Sequence, residues 1–392
     1  MAAERSRPPS RSASLAALAG FAAFVALALG SGFDRLSAVR PDLGGLVPTV
    51  LQSAALRSEA AAALQRGEAS AALALAERAV DDAPLDPNST ALLAAARRAL
   101  GDNPGANRAA RFAAALGWRV PYAQTYALAM ALGAGDYRKA ALRLDALLRQ
   151  DPRLIGNQQF FDPFEQSALG RVALAERLAS GAPWARRYAT ALDGLAPAII
   201  AQRSAGLFAM GPQRASLGCV PIGAMTARLA ALNQVPDARA LLRQHCAEAA
   251  RDGIVDRDFA RAIPTQTDSE FSWVFPGDAA VTAGIEPAST GTGKSVIADS
   301  DAPRPVVFAR QRTVLEPGSY ILSWSASGSA GALVLFGCQS DPQDFIEPGF
   351  DSRSQCWSAR LDLDRDCAPW IGFAAKPGAR GLRVEDLRLV PA

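Results

Sequence analysis

The sequence has a single histidine and almost no net charge, and both facts narrow the functions open to it. His245 is the only histidine among 392 residues, so a zinc centre built from several histidines is excluded and a Ser-His-Asp triad is poorly supported. We predict that His245 lies on a helix surface or caps a helix. The net charge of +3 is too small to indicate a nucleic-acid partner.

Residues 288–295, ASTGTGKS, satisfy a relaxed phosphate-loop pattern but lack its surroundings. A phosphate loop opens a helix whose N-terminus holds the phosphates. Here VIADSDAPRP follows, with two prolines and no helical period. We therefore predict a turn between strands at this point and no nucleotide site.

Asp362, Asp364 and Asp366 begin like a calcium-binding loop. The glycine of loop position six is absent, and Phe373 stands where a bidentate glutamate is needed. Because leucines alternate with these aspartates, the pattern favours a strand with one solvated face over a calcium site. The other carboxylates show no spacing that identifies a catalytic pair, and we predict no cofactor or metal.

Residues 12–33 contain no charged side chain and are long enough for the roughly 20 residues that cross a bilayer. Arg5, Arg7 and Arg11 precede this run, so the positive-inside rule places residues 1–11 in the cytoplasm. We predict a single-pass helix in a bacterial inner membrane, with the bulk of the chain in the periplasm. A cleaved signal peptide, with Ala28 and Gly30 before the cut, is the rival interpretation and predicts the same export.

A 34-residue repeat follows a predicted linker over residues 34–49. Each copy has a glycine for a tight turn and small or apolar residues five and twelve positions later. Two copies end in proline. The repeat-defining residues are Gly67, Ala72, Ala79, Pro84, Gly101, Ala106, Ala113, Gly135, Ala140, Leu147 and Pro152. This pattern is similar to the tetratricopeptide (TPR) repeat. It predicts a solenoid over residues 50–152, with helical hairpins at 50–84, 85–118 and 119–152 and a helix cap at Asn88 or Ser89.

Residues 153–262 keep a helical composition but lose the 34-residue register. The last segment of this region still resembles a hairpin, with Asn233 in place of the glycine and Ala238 five positions later. We predict further helical pairs that cap the solenoid.

Residues 263–392 change to short runs in which apolar and polar residues alternate. The runs are FSWVF, SVIA, PVVFAR, SYILSWSAS, ALVLFG, WIGF and GLRVEDLRLV. About seven short strands separated by turn signals predict a β-sandwich. In SYILSWSA, Tyr320, Leu322 and Trp324 share the face that we expect to be buried. The alternation changes phase at Glu385 and Asp386, which predicts a bulge or turn there.

Five cysteines are available for disulfide bonds in an oxidising compartment. Cys338 ends one predicted strand and Cys367 precedes another, so we predict a bond between them, with Cys356 as the competing partner. Cys219 and Cys246 flank a helix and are a second candidate pair. Buried free thiols remain the alternative for all of these positions.

Most of the tryptophans fall in the predicted sandwich, where aromatic side chains can either fill the core or stack on sugar rings. Trp357 lies in the polar stretch SRSQCWSAR. It is therefore the candidate for a glycan contact, against the more ordinary interpretation of a core residue.

The chain resembles the membrane-anchored, TPR-containing accessory proteins of exopolysaccharide and capsule assembly systems in alphaproteobacteria. The residues that carry the resemblance are the repeats at 67–152, GAPWARRY, and the C-terminal segments FSWVF, LEPGSYILSW, GCQ, DCAPW and GLRVEDLRLV. The C-terminal part is similar in pattern to carbohydrate-binding jelly rolls. The resemblance implies a non-catalytic partner of polysaccharide polymerisation or export.

Together these patterns predict a multidomain α + β protein with a transmembrane helix, a TPR-like solenoid and an antiparallel, jelly-roll-like β-sandwich. We expect a scaffold whose helical groove holds a protein partner and whose sandwich contacts glycan or another envelope component. The alternatives are a polysaccharide-modifying hydrolase or lyase and a purely structural envelope protein. An enzyme should gather two or more titratable groups in one cleft.

Overall fold

The structure is a computed structural model of the chain, and it describes residues 11–211, 217–265, 269–289, 293–325, 331–338 and 345–392. These residues form a mixed α/β protein with helices and two antiparallel sheets. The chain divides into two compact units, Met1–Asp151 and Pro152–Ala392. Arg5 and Arg7, on which the predicted orientation partly depends, lie outside the described residues.

Apart from short 3₁₀ helices, the described part of the first unit contains seven helices. They are α1 (Arg11–Ser37), α2 (Ser53–Gln65), α3 (Ala69–Asp82), α4 (Pro87–Ala99), α5 (Asn103–Leu116), α6 (Pro121–Gly133) and α7 (Tyr137–Gln150). The segment Leu18–Ser37 of α1 is long and apolar enough to span a membrane. Its side chains are mostly exposed, with Phe21 and Phe24 each 68% exposed.

The other six helices form three hairpins, α2–α3, α4–α5 and α6–α7. The predicted glycine occupies each turn, and Gly67, Gly101 and Gly135 have φ angles of 78°, 82° and 71°. This left-handed conformation is costly for any residue with a Cβ atom. The spacing of these glycines therefore reflects a backbone requirement that recurs once in each hairpin.

Small side chains lie at the contacts between these helices. Ala72, Ala106 and Ala140 have no exposed surface. The same is true of Ala79 and Ala113, and Leu147 is 1% exposed. Pro84 lies in the turn between α3 and α4, and Pro152 begins a 3₁₀ helix directly after α7.

The predicted helix cap at Asn88 or Ser89 is wrong by two or three residues. The carboxylate of Asp86 accepts hydrogen bonds from the backbone N–H groups of Asn88 and Ser89 and is the N-cap of α4. Pro87 is the first residue of the helix, where its missing N–H is no loss and its fixed φ suits the helix.

Residues 34–49 are predicted as a linker, but residues 34–37 are the end of α1 and the rest fold against it. α1 continues to Ser37, and two 3₁₀ helices follow, Pro41–Leu46 and Thr49–Leu51. Asp34 accepts hydrogen bonds from the N–H groups of Ala54 and Ala55 at 2.9 to 3.0 Å. The N-cap residue of α2, Gln52, makes no side-chain cap bond, so Asp34 satisfies these N–H groups from 20 residues away.

The second unit begins with helices. After 3₁₀ helices at Pro152–Gly156 and Gln158–Phe160, it contains α8 (Asp162–Glu165), α9 (Ala168–Ala179), α10 (Ala185–Thr190), α11 (Pro197–Phe208), α12 (Cys219–Ala231), α13 (Val235–His245) and α14 (Ala247–Asp252). α12 and α13 form a hairpin, as predicted. Asn233 in its turn has a φ of 59°, and Ala238 has no exposed surface.

The strands follow in the order β1 (Val281–Pro287), β2 (Lys294–Ser300), β3 (Val306–Arg312), β4 (Gly318–Ser325), β5 (Ala332–Gly337), β6 (Phe345–Ile346), β7 (Gly349–Asp351), β8 (Cys356–Leu363), β9 (Trp370–Ala375) and β10 (Leu382–Pro391). In the described residues they form one sheet in the order β1-β2-β10-β4-β8-β7 and another in the order β3-β9-β5-β6. All neighbouring strands are antiparallel.

Both sheets contribute side chains to one hydrophobic cluster. Leu322 and Trp324 of the first sheet and Phe308 and Phe373 of the second are at most 1% exposed and belong to it. The ring of Trp324 lies edge-on to that of Phe373, with centroids 5.1 Å apart. The predicted buried face is confirmed for Leu322 and Trp324, whereas Tyr320 on the same face is only half-buried. Ile321 on the opposite face is 38% exposed.

The predicted bulge in the last strand is also confirmed. The pairing of β10 with β4 shifts register between Glu385 and Arg388, and Asp386 has a φ of 52°. Glu385 turns inward at this point and is 4% exposed. Its carboxylate accepts hydrogen bonds from the Ser289 N–H at 2.9 Å and the Ser295 hydroxyl at 2.6 Å.

The predicted strand at FSWVF is wrong. Val274 forms only an isolated bridge to Arg310, and the segment is held by side chains instead. Phe271 and Trp273 are buried, and the indole N–H of Trp273 donates to the carbonyl oxygen of Asp256 at 2.9 Å. The sequence patterns do not predict β1, β6 or β7, of which the last two have only two or three residues each.

The helices of residues 153–262 share a compact unit with the sheets, although the sequence predicts a separate domain over residues 263–392. The buried side chain of Gln311 in β3 both accepts from the N–H of Val255 and donates to its carbonyl, each at 3.1 Å. This side chain forms with Val255, which follows α14, the pair of hydrogen bonds that a neighbouring strand would otherwise form. The domain boundary predicted between residues 262 and 263 therefore falls inside one folded unit.

We expect the substitution Ala140→Trp to destabilise the first unit. Ala140 has no exposed surface, so an indole ring would overpack the helix contact at a cost of roughly 1 to 3 kcal/mol or more. Thermal unfolding of the full chain, followed by circular dichroism, measures the change. Leu142→Trp is the matched control, because Leu142 lies on the same helix and is 40% exposed. Equal melting temperatures for the two variants would contradict the assigned helix contact.

Candidate functional site

The first helices of the three hairpins form one side of a depression of about 410 Å³. We call this surface the hairpin groove, and define it by Arg57 and Ser58 of α2, Asn88 and Leu92 of α4, and Tyr122 of α6. Equivalent helices of successive hairpins meet here, so the groove is built by the repetition itself. Such a surface can bind an extended or helical segment of another protein.

The floor of the hairpin groove is made of small side chains. Ala54, Ala91 and Ala95 line it between the longer groups. Because alanine fills little space, the depression remains open even though the helices beneath it pack closely. Tyr122, at 37% exposed, offers an aromatic face and a hydroxyl at the edge of this floor.

The charge within the hairpin groove is already compensated. Arg57 donates to the carboxylate of Asp86 at 2.7 Å and to the Ser53 hydroxyl at 3.1 Å. Burial would raise the pKa of Asp86, but hydrogen bonds from Ser89, the charge of Arg57 and the Asn88 amide together lower it below its usual value. Asp86 therefore stays ionised at neutral pH, and the groove presents a largely neutral, amphipathic surface.

The hairpin groove begins at the end of the apolar helix. Ala38, the residue that follows α1, lines the groove together with the helices of the hairpins. Asp34 accepts hydrogen bonds from α2, as described above. In addition, Gly30 lies so close to Leu51 that a Cβ atom added to Gly30 would be 2.8 Å from the Cδ1 of Leu51. The hydrogen bonds and this close contact fix the end of α1 beside the groove.

A second depression of about 270 Å³ lies between α5, α6 and α7. We call it the arginine pocket. Its charged lining consists of Arg111, Asp136, Lys139 and Arg143, and its apolar lining includes Met130. Three cationic groups against one carboxylate leave a net charge of +2 on its walls.

Trp357, the glycan candidate, is part of a row of aromatic side chains in the second unit. It pairs with Trp324 on β4 and with Phe350 on β7, so the three rings share one face of the sheet. Trp324 is 1% exposed and Phe350 is 46% exposed, with half-buried Trp357 between them. Phe350 and Trp357 have ring centroids 5.0 Å apart. Phe350 is thus the exposed end of a row that continues the core, and the sequence analysis did not single it out.

A depression of about 380 Å³ lies where β4 ends and β8 begins. Its lining includes Ser325, Cys356, Asp386 and Arg388. Arg388 donates to Asp386 at 2.9 Å, and the Cys356 thiol lies 3.3 Å from the Ser354 carbonyl oxygen. Both side chains of this ion pair are more than half exposed to solvent.

The strongest group of interacting titratable residues is buried. Arg203 donates to Glu165 at 2.8 Å, and the Tyr188 hydroxyl donates to Glu165 at 2.6 Å. Burial and the charge of Glu165 raise the pKa of Tyr188 well above its usual value, so its hydroxyl remains a donor. All three residues are at most 1% exposed. They are enclosed by the protein, and their hydrogen bonds join the helices that carry them.

A second titratable pair, Asp256 and Arg261, lines a cavity of only about 40 Å³. Burial raises the pKa of Asp256 above its ordinary value, despite the hydrogen bond from the Arg261 N–H. A space of this size admits about one water molecule. It offers no cleft for a polysaccharide chain.

The disulfide bonds join Cys219 to Cys246 and Cys338 to Cys367, with Cα atoms 4.6 and 5.9 Å apart. Cys356, the predicted competitor, is free. The first bond links the start of α12 to the end of α13. The second links the end of β5 to the segment before β9.

The segments that resemble nucleotide and calcium motifs have structural roles. Lys294 begins β2, which pairs with β1, so the chain continues as a strand where a phosphate loop requires a helix. Residues 290–292 of that motif lie outside the described residues. Asp362 bonds to Ser319 and Arg360, and Asp366 pairs with Arg239. Among the described residues, no group of three or more His, Cys, Asp or Glu side chains could hold a metal ion.

The chain matches no protein-family model, and a search of curated proteins finds no significant relative.

His245 is buried in α13, so the prediction of a surface position is wrong. It is 3% exposed, and its Nε2 donates to the Leu207 carbonyl oxygen at 3.2 Å. Leu207 lies in the last turn of α11, and its carbonyl oxygen also accepts from the Met210 N–H at 3.2 Å. His245 is therefore a second donor to a carbonyl at the end of that helix, which fits the predicted capping role.

We expect the stability of the protein to fall as the pH decreases from 7.5 to 5.5. Burial lowers the pKa of His245, although the bond to Leu207 opposes this. As the pH decreases, the histidine of the unfolded state therefore binds a proton first, at a pKa of about 6.5. The contribution of His245 to the free energy of unfolding is complete above that pH and decreases below it.

Melting temperatures at the two pH values test this expectation. In His245→Gln the glutamine amide can still donate to the carbonyl, and the decrease should be smaller than in the native protein. Asp256 is present in both proteins, so the comparison isolates the histidine. An equal decrease in both would contradict the assignment.

Proposed function

We propose that this protein is a membrane-anchored, extracytoplasmic adaptor that holds a segment of a partner protein in the hairpin groove. The observation that carries the proposal is the groove itself, which is formed by equivalent helices of three successive hairpins and has a neutral, amphipathic lining. Repeated helical pairs that build one continuous surface typically bind other proteins.

We further infer that the hairpins are TPR-like repeats and that the two sheets form a jelly-roll-like sandwich. The left-handed glycines at 34-residue spacing and the fully buried alanines support the first inference. The shared hydrophobic cluster of the two antiparallel sheets supports the second. Under these inferences the array in the first unit has three repeats, about the minimum that is stable.

We propose that the N-terminus is retained as an anchor, because its apolar run is longer than the core of a usual signal peptide. α1 is a continuous helix through Ala28 and Gly30, and its end is bonded to α2 through Asp34. The two disulfide bonds are consistent with the periplasmic location that we propose for both units, because such bonds persist in oxidising compartments.

The resemblance of the sequence to accessory proteins of exopolysaccharide assembly suggests the setting. We propose that the partner belongs to a polysaccharide polymerisation or export system, and that the edge formed by Phe350 and Trp357 is the candidate glycan contact. The alternative of a hydrolase or lyase gains little support from the two groups of titratable residues. The group around Glu165 is enclosed, and Asp256 and Arg261 line a cavity of only about 40 Å³.

The adaptor proposal is tested by photo-crosslinking in cells of the native host. A benzophenone amino acid replaces Tyr122 in the hairpin groove, and the control carries it at Leu169, which is 70% exposed on α9 in the second unit. We expect a discrete crosslinked protein from position 122 that is absent from position 169.

A second substitution checks that the groove is responsible. Leu92→Trp fills the groove and should reduce crosslinking from position 122 by about tenfold or more, as expected for an interface centre. Leu142→Trp adds the same ring at an exposed site on α7 and should change little. Crosslinking of the same protein from both positions 122 and 169, or no effect of Leu92→Trp, would count against the groove.

The extracytoplasmic location is tested by mass mapping of the non-reduced protein from membranes. We expect linked peptides that contain Cys219 with Cys246 and Cys338 with Cys367, and alkylation of Cys356 before reduction. Loss of the second bond opens a loop of about 30 residues and should cost roughly 3 kcal/mol. If all five thiols are free in the cell, the chain lies in a reducing compartment and the proposed location is wrong.

A further inference from the structure

The arginine pocket contains a guanidinium group, that of Arg143, which forms no ion pair with a carboxylate among the described residues. Arg143 donates to the side-chain oxygen of Gln124 at 2.9 Å and to the Ala114 carbonyl oxygen at 3.4 Å, and it lies over the ring of Trp118 at 3.8 Å from its centroid. Its Nε is buried without a hydrogen-bond partner. A guanidinium has five N–H donors, so these contacts use only part of its capacity.

The guanidinium is held in place by a buried amide. Gln124 has no exposed surface, and its Nε2 donates to the Gly117 carbonyl oxygen at 2.9 Å. The amide oxygen is thereby directed at Arg143. The guanidinium is also stacked on Trp118, whose carbonyl oxygen accepts from Gln150 at 2.6 Å. A charge that is oriented in advance loses less conformational entropy when it binds a ligand.

The other charged groups of the pocket add to the positive potential. Arg111 and Lys139 line the same space, and Asp136 is its only carboxylate among the described lining residues. Asp136 already caps α7 by accepting from the Lys139 N–H at 3.0 Å, and it lies 3.5 Å from the Lys139 ammonium. Burial lowers the pKa of Arg143 because its charge is partly desolvated. These features favour an anionic group in the pocket.

The size and walls of the pocket indicate what carries that anion. At about 270 Å³ the pocket is slightly smaller than the roughly 300 to 1,000 Å³ of typical small-molecule sites. Tyr126 and Met130 give it an apolar side, and Met130 is 45% exposed. An acidic side chain beside an apolar one matches this combination, whereas a sugar chain needs a longer cleft.

We propose that the arginine pocket binds an Asp or Glu side chain of a peptide segment, with an apolar residue next to it. The carboxylate pairs with Arg143 and is attracted by Arg111 and Lys139, and the apolar neighbour contacts Met130. This inference rests on the proposed function, since it assigns an acidic, partly apolar sequence to the protein segment that the hairpins hold.

The test is selection of phage-displayed random peptides on the immobilised full chain in nanodiscs. We expect the selected peptides to share an acidic residue beside an apolar one. Selection on Arg143→Gln should lose the acidic preference. Arg149→Gln is the matched control, because Arg149 lies on the same helix and is paired with Asp145 at 2.9 Å. Its selected peptides should keep the acidic residue.

Affinities of one selected peptide complete the test. We expect binding to Arg143→Gln to be about tenfold weaker or more, since a hydrogen-bonded charge pair is lost. A peptide with Gln in place of its acid should bind the native protein as weakly as the acidic peptide binds Arg143→Gln. Its own affinity should not decrease further when Arg143→Gln replaces the native protein. Arg143→Lys keeps the charge and should retain the acidic preference.

Several outcomes would overturn the proposal. Selected peptides without an acidic residue would do so, as would an acidic preference that Arg143→Gln leaves unchanged. Circular dichroism shows whether Arg143→Gln folds. If it does not, the affinity of the native protein for the peptide with Gln in place of its acid decides the test. A native chain that selects no peptide contradicts both this inference and the proposed adaptor function, whereas selected peptides without an acid contradict only the inference.

Discussion

Close contact between helices through buried alanine side chains is the constraint on which the first unit depends. Ala72, Ala106 and Ala140 occupy the same place in three hairpins and have no exposed surface. A methyl group there lets two helices approach near the lower end of the usual 8 to 10 Å range. Any larger side chain separates the helices and moves the next hairpin, so the hairpin groove retains its shape only while these positions stay small.

The second unit depends on a different interaction, the buried pair of Arg203 and Glu165. Removing two charges from water is costly, and a buried pair contributes to stability only when its remaining donors and acceptors are satisfied. Arg203 meets this condition, because it also donates to Gln158 at 2.7 Å and to the Ala191 carbonyl at 2.9 Å. Its guanidinium lies over the ring of Tyr188, 4.5 Å from the centroid. One side chain thus joins α8, α10 and α11, and this role requires the fork geometry of arginine.

Features that recur along the chain or alternate locally could be predicted from the sequence. Gly67, Gly101 and Gly135 were identifiable because a left-handed turn requires glycine, and Asn233 because asparagine tolerates the same conformation. The buried face of β4 and the bulge at Glu385 followed from the two-residue period of a strand. In each case the physical cause acts over a few residues, so a short window of sequence contains it.

The features that could not be predicted depend on partners distant in sequence. Asp34 caps α2 from 20 residues away, and the segment that contains it was therefore interpreted as a linker. Trp273 lies in a run with strand-like alternation, but its indole bonds to Asp256 and the segment forms no strand. The arginine pocket escaped the sequence analysis for the same reason, because Trp118, Gln124 and Arg143 meet only when the α6–α7 hairpin closes.

The link between α1 and the hairpin groove affects how the proposed adaptor works. A flexible linker would let the groove sample many orientations, whereas Asp34 and the Gly30 contact hold the groove at the end of the helix. Gly30 and Ala38 are separated by eight residues, which is about 12 Å of helix at 1.5 Å per residue. If α1 spans the membrane, the groove opens close to the lipid surface with a fixed direction. A partner segment near the membrane then meets a groove that is already oriented, and the entropy lost on binding is reduced.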